Sequence, residues 1–161
     1  MAHPPGFDPI PLDEFDALLL STKEQFDKYW SAAKPLIEKC IKRSMHGELT
    51  VDDVYALALQ QKMYVFIVKC DKGIVPAIKL ALVLEIVNYP RLPAMNILAL
   101  GGEELDALYE KYWKSLCGWA YMNGVRAIEG WVSPAMERVI SRYGFKHVYT
   151  HMRLNLTENT K

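Results

Sequence analysis

Residues 94–145 read AMNILAL, GG, EELDALYEKYWKSLCGWAYMNG, VRAIEGWV, SPAMERVISRY and GF in order. This pattern predicts a strand, a Gly-Gly turn, a long amphipathic helix, a strand, a second helix and a glycine before a last strand. A helix that follows a glycine turn has free backbone N–H groups at its N-terminus, and these can hold a phosphate or pyrophosphate. The segment therefore predicts a ligand site at Gly101 and Gly102.

The preceding half of the chain predicts two helices and a meander. Helical spacing of apolar residues begins at Lys23, and Pro35 is expected to break or restart that helix. Thr50 is a typical N-cap for the second helix. Strands are expected at about 63–70, 74–87, 95–100, 126–132 and 145–156. The order predicts an α/β domain with a mixed (α+β) sheet, antiparallel in its first half and with a crossover in its second.

Length and composition indicate one domain. The chain has 161 residues, of which 51% are hydrophobic, so a sizeable core is expected. We expect a flexible N-terminal arm over 1–22, a single domain over 23–156 and a frayed tail over 157–161. The proline-rich N-terminus lacks the basic and apolar regions of a signal peptide.

Charge and cysteine usage argue against several classes of protein. Lys+Arg and Asp+Glu both number 19, and this balance disfavours a partner such as duplex nucleic acid. The longest apolar run is short and interrupted by charges, so no membrane partner is expected. Three widely spaced cysteines give neither a disulfide framework nor a CxxC motif. His147 and His151 share a strand face without an evident third ligand, so no metal is expected.

Several stretches together resemble the GNAT acyltransferase superfamily, and most closely the small GNAT-like proteins of tailed bacteriophages. The stretches are KPLIEKCIKRS (34–44), LTVDDVYALALQQ (49–61), EIVNYPRLPAMNILALGG (85–102) and WAYMNGVRAIEGWV through RYGF (119–145). The resemblance implies a GNAT-like fold and a phage-encoded N-acyltransferase that moves an acyl group from acetyl-CoA or another acyl-CoA to an amine. It also implies a location in the host cytoplasm, with association to the virion as the other option.

The resemblance also implies where acyl-CoA would bind. The pantetheine arm would lie along the strand before the glycine turn, the pyrophosphate would meet the turn and the amides that follow, and an aromatic on the adjacent strand would frame the acyl group. The pantetheine arm would contact Leu98, Ala99 and Leu100. The pyrophosphate would contact Gly101, Gly102, Glu103 and Glu104. Trp131 would frame the acyl group.

Amine acylation needs a base for the acceptor ammonium and an acid for the leaving thiolate. Glu85 is a candidate base because its strand is predicted to be buried, although it could instead pair with a cation such as Arg91. Glu129 lies in the strand beside the expected acyl site and is a second candidate base, with a plain solvent-side or paired position as the alternative. Tyr143 could donate a proton or could serve only in packing.

A different class of function stays open from the sequence. The turn is a bare Gly-Gly followed by two acids, where the family usually has a Gln/Arg-x-x-Gly-x-Gly/Ala loop, and Ile140 stands where many members have a tyrosine. The alternative is a catalytically inactive GNAT-fold module that binds a host or virion protein and so inhibits or regulates it. Trp119, the N-terminal arm and residues 89–93 are candidate docking surfaces, and a homodimer stays open at zero net charge.

Overall fold

The sheet has five strands in the order β1-β2-β3-β4-β5. The computed structural model describes residues 10–44 and 47–157. The first four strands are antiparallel neighbours, and β5 runs parallel to β4. Their bounds are β1 Asp16–Leu20, β2 Met63–Cys70, β3 Ala77–Tyr89, β4 Leu92–Gly102 and β5 Ala127–Gly130. The predicted antiparallel meander and parallel second half are confirmed.

The helices cover both faces of this sheet. Their bounds are α1 Lys23–Ser44, α2 Val51–Leu59, α3 Leu105–Leu108, α4 Lys114–Met122 and α5 Pro134–Ser141, and a π-helical turn over Tyr109–Trp113 joins α3 to α4. The Thr50 hydroxyl accepts from the Asp53 N–H at 3.2 Å, and the Asp53 carboxylate accepts from the Thr50 N–H at 2.9 Å. This capping box begins α2 where the sequence predicts, and such a cap stabilises a helix by about 1 kcal/mol.

Helices α1 and α2 pack on one face of the sheet. Phe26, Ala33 and Ile37 of α1 are buried against Val65 and Val83. Helix α1 approaches β4 so closely that a Cβ on Gly101 would lie 2.5 Å from the Cys40 Sγ. The absence of a side chain at Gly101 therefore sets how near this helix lies to the sheet.

The other face carries the connection between β4 and β5. Leu82, Leu84 and Met95 are buried there with Ala120 of α4. Trp119 meets the rings of Tyr64 and Phe66 edge-on at centroid distances of 5.6 and 4.9 Å. This packing fixes the helical run over 105–122 across the strands that it joins.

A β-bulge interrupts β4 at Leu98. Leu84 pairs with Ile97, whereas Val83 pairs with Ala99, so Leu98 is the extra residue of the bulge. The β4–β5 pairing ends at Ile97 and Gly130. The two parallel strands therefore part at the residue where β4 bulges.

One expectation in the first half of the chain was wrong. Within the N-terminal segment 1–22, residues 16–20 form β1 as an edge strand beside β2, and the side chain of Phe15 is buried; residues 1–9 lie outside the described residues. Helix α1 continues through Pro35, which is exposed, instead of breaking there. A proline removes one backbone hydrogen bond, and the packed face of a 22-residue helix offsets that loss.

The predicted last strand is also absent from the described sheet. Residues 145–157 have no regular secondary structure, and Val148, Met152 and Leu154 are exposed. Alternating apolar residues favour an extended chain, but a strand also needs a partner edge, and this segment pairs with none of the described strands. Of the expected tail, residues 158–161 lie outside the described residues. Among the helices described, none has both the length and the apolarity to cross a bilayer.

Candidate active site where two strands part

Both candidate bases lie in one row across the sheet. Asn96 of β4 pairs in register with Glu85 of β3 on one side and with Glu129 of β5 on the other. The Asn96 Nδ2 donates to the Glu85 Oε1 at 3.1 Å. Paired residues on neighbouring strands point to the same face, so the sheet brings the two carboxylates together on either side of one amide.

The Asn96 side chain is buried in an unusual way. It is 2% exposed, and its Oδ1 is a buried polar atom without a hydrogen-bond partner among the described residues. Leaving a buried acceptor unpaired costs about 1–3 kcal/mol. Native structures hold few such atoms, so the Asn96 oxygen stands out among the polar groups of the row.

The Glu129 carboxylate accepts a hydrogen bond from the last residue of β3. The Tyr89 hydroxyl donates to the Glu129 Oε1 at 2.7 Å. Two hydrogen bonds raise the pKa of Tyr89 above its ordinary value. The larger effect comes from the bond to the Glu129 carboxylate, and the smaller one from a hydrogen bond with Tyr149. Trp131, which follows β5, is 55% exposed and stacks on His151 with ring centroids 4.8 Å apart. The chain after α5 therefore borders the row of carboxylates.

The bulge lies next to this row. Leu98 is two residues beyond Asn96 and one residue beyond the last β4–β5 pair. Leu98 and Ala99 pack toward α1 and α2, whereas Ile97 and Leu100 pack toward α4. The site thus combines a row of acids, a bulged backbone and the point at which β4 and β5 stop pairing.

The Gly101–Gly102 turn differs from an open loop. Both glycines belong to β4 and pair with Ala81 and Leu80. A Cβ on Gly102 would lie 2.4 Å from the Lys79 carbonyl oxygen, and the φ of Gly102 is +154°. The Glu103 N–H donates to the same carbonyl oxygen at 3.2 Å. Close packing accounts for both glycines, and their contact with a pyrophosphate stays a prediction.

Lys79 brings a positive charge to the end of β4, next to Glu104. Its Nζ lies 3.3 Å from the Glu104 Oε2, and its side chain is 15% exposed. The ammonium therefore offsets a carboxylate that would otherwise repel an anion at the start of the helical run. Sequence reasoning missed Lys79 because nothing in the chain's order places it opposite Glu104.

Tyr143 lies away from the row. Its ring stacks on Tyr109 with centroids 4.1 Å apart, and its hydroxyl donates to the Asp106 carboxylate. That hydrogen bond raises the pKa of the Tyr143 hydroxyl. Its role as a proton donor stays a prediction, and the structure gives the hydroxyl a different partner.

Other candidate residues have structural partners. Trp119, expected as a docking residue, packs in the core. His147 lies 3.2 Å from Glu137, and His151 stacks on Trp131, so the two histidines do not converge. Over the described ranges, His, Cys, Asp and Glu form no cluster of three or more that could hold a metal ion. Glu85 has Asn96 as its hydrogen-bond partner, where pairing with Arg91 was the alternative.

The sequence matches no protein-family model and no curated protein. Its structure resembles those of acetyltransferases. A predicted acetyltransferase from Clostridium acetobutylicum, solved with acetyl-CoA, superposes with a TM-score of 0.64 at 12% identity, covering 91% of this chain and 99% of the other.

The chain has the GNAT acetyltransferase fold. An aminoglycoside acetyltransferase from an uncultured soil metagenomic sample has a TM-score of 0.64 at 12% identity, covering 89% of this chain and 97% of that one. A ribosomal-protein-alanine N-acetyltransferase from Brucella melitensis has a TM-score of 0.61 at 11% identity, covering 88% and 99%. At these identities the likeness establishes the GNAT fold, which the sequence resemblance implied.

Proposed function

We propose that this GNAT-fold chain is an N-acyltransferase that takes an acyl group from acetyl-CoA or another acyl-CoA and transfers it to an amine. The observation that carries the proposal is the Glu85–Asn96–Glu129 row beside the bulge at Leu98. Glu85 of β3 and Glu129 of β5 both pair with Asn96 of β4, and Asn96 is two residues before the distorted backbone at Leu98 that would receive the acyl carbonyl. The acetyl-CoA held by the Clostridium acetyltransferase supports the choice of donor.

The donor side is assigned to β4 after the bulge. Leu98, Ala99 and Leu100 would line the pantetheine arm, since they follow the point at which β5 leaves β4. The bulge frees the Leu98 backbone from the register of β3, so its N–H is proposed to polarise the thioester carbonyl. Trp131 would frame the acyl group from the other strand.

The pyrophosphate of acyl-CoA is assigned to the start of the helical run over 105–122. Gly101, Gly102 and Glu103 form the floor of this end, with the Glu103 amide already bonded to the Lys79 carbonyl oxygen. Lys79 supplies a positive charge there, and an anion would compete with Glu104 for it.

The acceptor side is assigned to the row of acids. Glu85 or Glu129 takes a proton from the acceptor ammonium, the neutral nitrogen forms a C–N bond as the C–S bond breaks, and the nitrogen then loses its second proton to solvent. Asn96 holds the Glu85 carboxylate in place for that transfer. The departing thiolate takes its proton from solvent, since the Tyr143 hydroxyl is bonded to Asp106.

Turnover tests the proposal. The purified chain is mixed with acetyl-CoA and a panel of primary amines, while release of free thiol and the mass of the acylated amine are followed. Glu85→Gln and Glu129→Gln are compared with Glu110→Gln, a carboxylate on the π-helical turn. Loss of the true base should lower kcat by about 10²- to 10⁴-fold with acyl-CoA affinity unchanged. Turnover that survives both substitutions contradicts the assignment of the base.

A second candidate function is a catalytically inactive GNAT-fold module that binds another protein. The exposed apolar side chains of Val148, Met152 and Leu154 in the unpaired segment after α5 favour it. The proposed partner is a host or virion protein, and the phage origin and host location rest on the sequence resemblance alone. A chain that binds no acyl-CoA but forms a complex of defined stoichiometry would support this function over the first.

A further inference from the structure

A cavity of about 250 Å³ lies between the sheet and the helices of its second face. Phe66 and Leu82 of the sheet form one wall, and Leu116, Val139 and Ile140 of the helices form the opposite one. Protein interiors rarely hold voids much larger than a water molecule. An apolar cavity of roughly 150 Å³ is large enough to bind benzene, so this one has room for a longer hydrocarbon.

The tyrosine hydroxyls around the cavity are already engaged. The Tyr112 hydroxyl donates to the Phe15 carbonyl oxygen at 2.9 Å, and the Tyr109 hydroxyl donates to the Tyr143 carbonyl oxygen at 3.3 Å. The Tyr143 hydroxyl donates to Asp106. With these hydroxyls engaged, the cavity is lined mainly by carbon, and a hydrocarbon is the chemistry that such walls favour.

The cavity borders the proposed reaction point. Ile97 and Leu100 belong to its wall, and they flank the bulged residues Leu98 and Ala99 in β4. Ile97 is also the last residue of β4 that pairs with β5. An acyl chain whose carbonyl lies at the bulge would reach the cavity by passing between β4 and β5 beyond their last pair, because the cavity lies on the face of the sheet opposite the carboxylates.

We propose that the donor is an acyl-CoA with a medium-length hydrocarbon chain and that this cavity holds the chain. The inference rests on the proposed acyltransferase function and names its acyl group. Each buried methylene strengthens binding by about fourfold. An octanoyl chain carries six more carbons than acetyl, and even partial burial of them should tighten binding on the order of 100-fold.

Calorimetric titration with acetyl-CoA, octanoyl-CoA and free octanoate tests the inference. The variant Val139→Phe places a ring in the cavity from α5, and Val148→Phe makes the same change at a side chain that is 80% exposed. The expected result is a preference for octanoyl-CoA over acetyl-CoA on the order of 100-fold in the wild type and in Val148→Phe. In Val139→Phe that preference should disappear while acetyl-CoA affinity is kept.

Equal affinity for the two esters overturns the inference and leaves the acyltransferase proposal standing. If neither ester binds, the acyltransferase proposal fails. Binding of free octanoate then tests, independently of CoA, whether the cavity holds a hydrocarbon chain. Octanoate binding that Val139→Phe abolishes supports a hydrocarbon site there. No octanoate binding in the wild type, at concentrations at which a control apolar-ligand protein saturates, overturns the hydrocarbon site as well. Thermal unfolding of Val139→Phe confirms that the variant is folded.

Discussion

The Asn96 side-chain amide donates to the Glu85 carboxylate at 3.1 Å across β3 and β4, while its own oxygen stays buried and unpaired among the described residues. The amide therefore restrains one acid at the cost of an unsatisfied acceptor. An apolar side chain of similar shape would avoid that cost but would leave the Glu85 carboxylate without its donor.

Replacing Asn96 by Leu should separate stability from activity. The substitution removes the unpaired buried oxygen together with the donor to the Glu85 carboxylate, and because these effects oppose each other the free energy of unfolding should stay within about 1 kcal/mol of the wild type. The Glu85 carboxylate loses its restraint, so kcat should fall about 10-fold or more while KM for acyl-CoA is unchanged. Denaturant unfolding and steady-state kinetics check the two effects.

Met95→Leu is the matched control for Asn96→Leu, since Met95 is equally buried but packs on the opposite face of the same strand. It should leave kcat unchanged. A parallel loss of stability and activity in Asn96→Leu would indicate that the amide has only a structural role.

Tyr89 should titrate late because of Glu129. Their hydrogen bond raises the pKa of the folded-state phenol above the ordinary value near 10, so it favours the neutral phenol. The stabilisation is complete below about pH 10 and is lost as the pH rises through the folded-state pKa. In Glu129→Gln the pKa of Tyr89 should move back toward 10, as followed by near-ultraviolet absorbance.

Tyr89→Phe provides the reference for that titration. The variant should lose one late-ionising phenol, and its free energy of unfolding should fall less steeply than that of the wild type above pH 10. Loss of a phenol that ionises near pH 10 in Tyr89→Phe, together with an unchanged titration in Glu129→Gln, would contradict the hydrogen bond.

Gly101→Ala should destabilise the chain through its contact with α1. The new Cβ would meet the Cys40 Sγ at 2.5 Å and the Leu36 carbonyl oxygen at 3.3 Å, and such overpacking costs about 1–3 kcal/mol. Cys40→Ala should recover part of the loss in a double-mutant cycle, since it removes the nearer atom.

Gly118→Ala is the control for this cycle. Its Cβ meets nothing within 4 Å, and an alanine in a helix stabilises by up to about 1 kcal/mol over glycine. If Gly101→Ala were as harmless as Gly118→Ala, the close approach of α1 to β4 would be refuted.

Trp119 and Trp131 should respond differently to truncation. Trp119 packs edge-on against Tyr64 and Phe66, so Trp119→Ala should cost about 3 kcal/mol of unfolding free energy. Trp131 is 55% exposed, so Trp131→Ala should cost less than about 1 kcal/mol and act mainly on acyl-CoA affinity. Denaturant unfolding and calorimetry separate the two, and similar stability losses would contradict the placement of Trp119 in the core.

Much of the fold could be predicted from local signals. The cap at Thr50 and the helical spacing of apolar residues each act over a few residues, so they place α2 and the helices that follow Gly102 without knowledge of the rest. The last strand could not be predicted this way. Alternation over 145–156 specifies an extended chain, whereas a ladder also depends on an edge supplied by distant residues.

The candidate site also combines features that local sequence predicts with features that depend on distant residues. Glu85 and Glu129 were identifiable as acids in strands, but their common row depends on the register of three strands and on the bulge at Leu98, which no local pattern reveals. An asparagine within the apolar run 94–100 was the signal that could have found Asn96. The sequence pattern predicts a phosphate-binding turn at Gly101 and Gly102, although close contacts with Cys40 and Lys79 also require glycine at these positions.

The most direct test of the central claim is the amide spectrum of the ¹⁵N-labelled chain during titration with acetyl-CoA. If the acyl carbonyl lies at the bulge, the Leu98 amide proton should move downfield and saturate together with shifts at Leu100 and Gly130. The Glu129→Gln variant should show the same shifts, since the donor binds apart from the base. A Leu98 amide that does not move at saturating acetyl-CoA, or shifts confined to residues far from β4 and β5, would contradict the account.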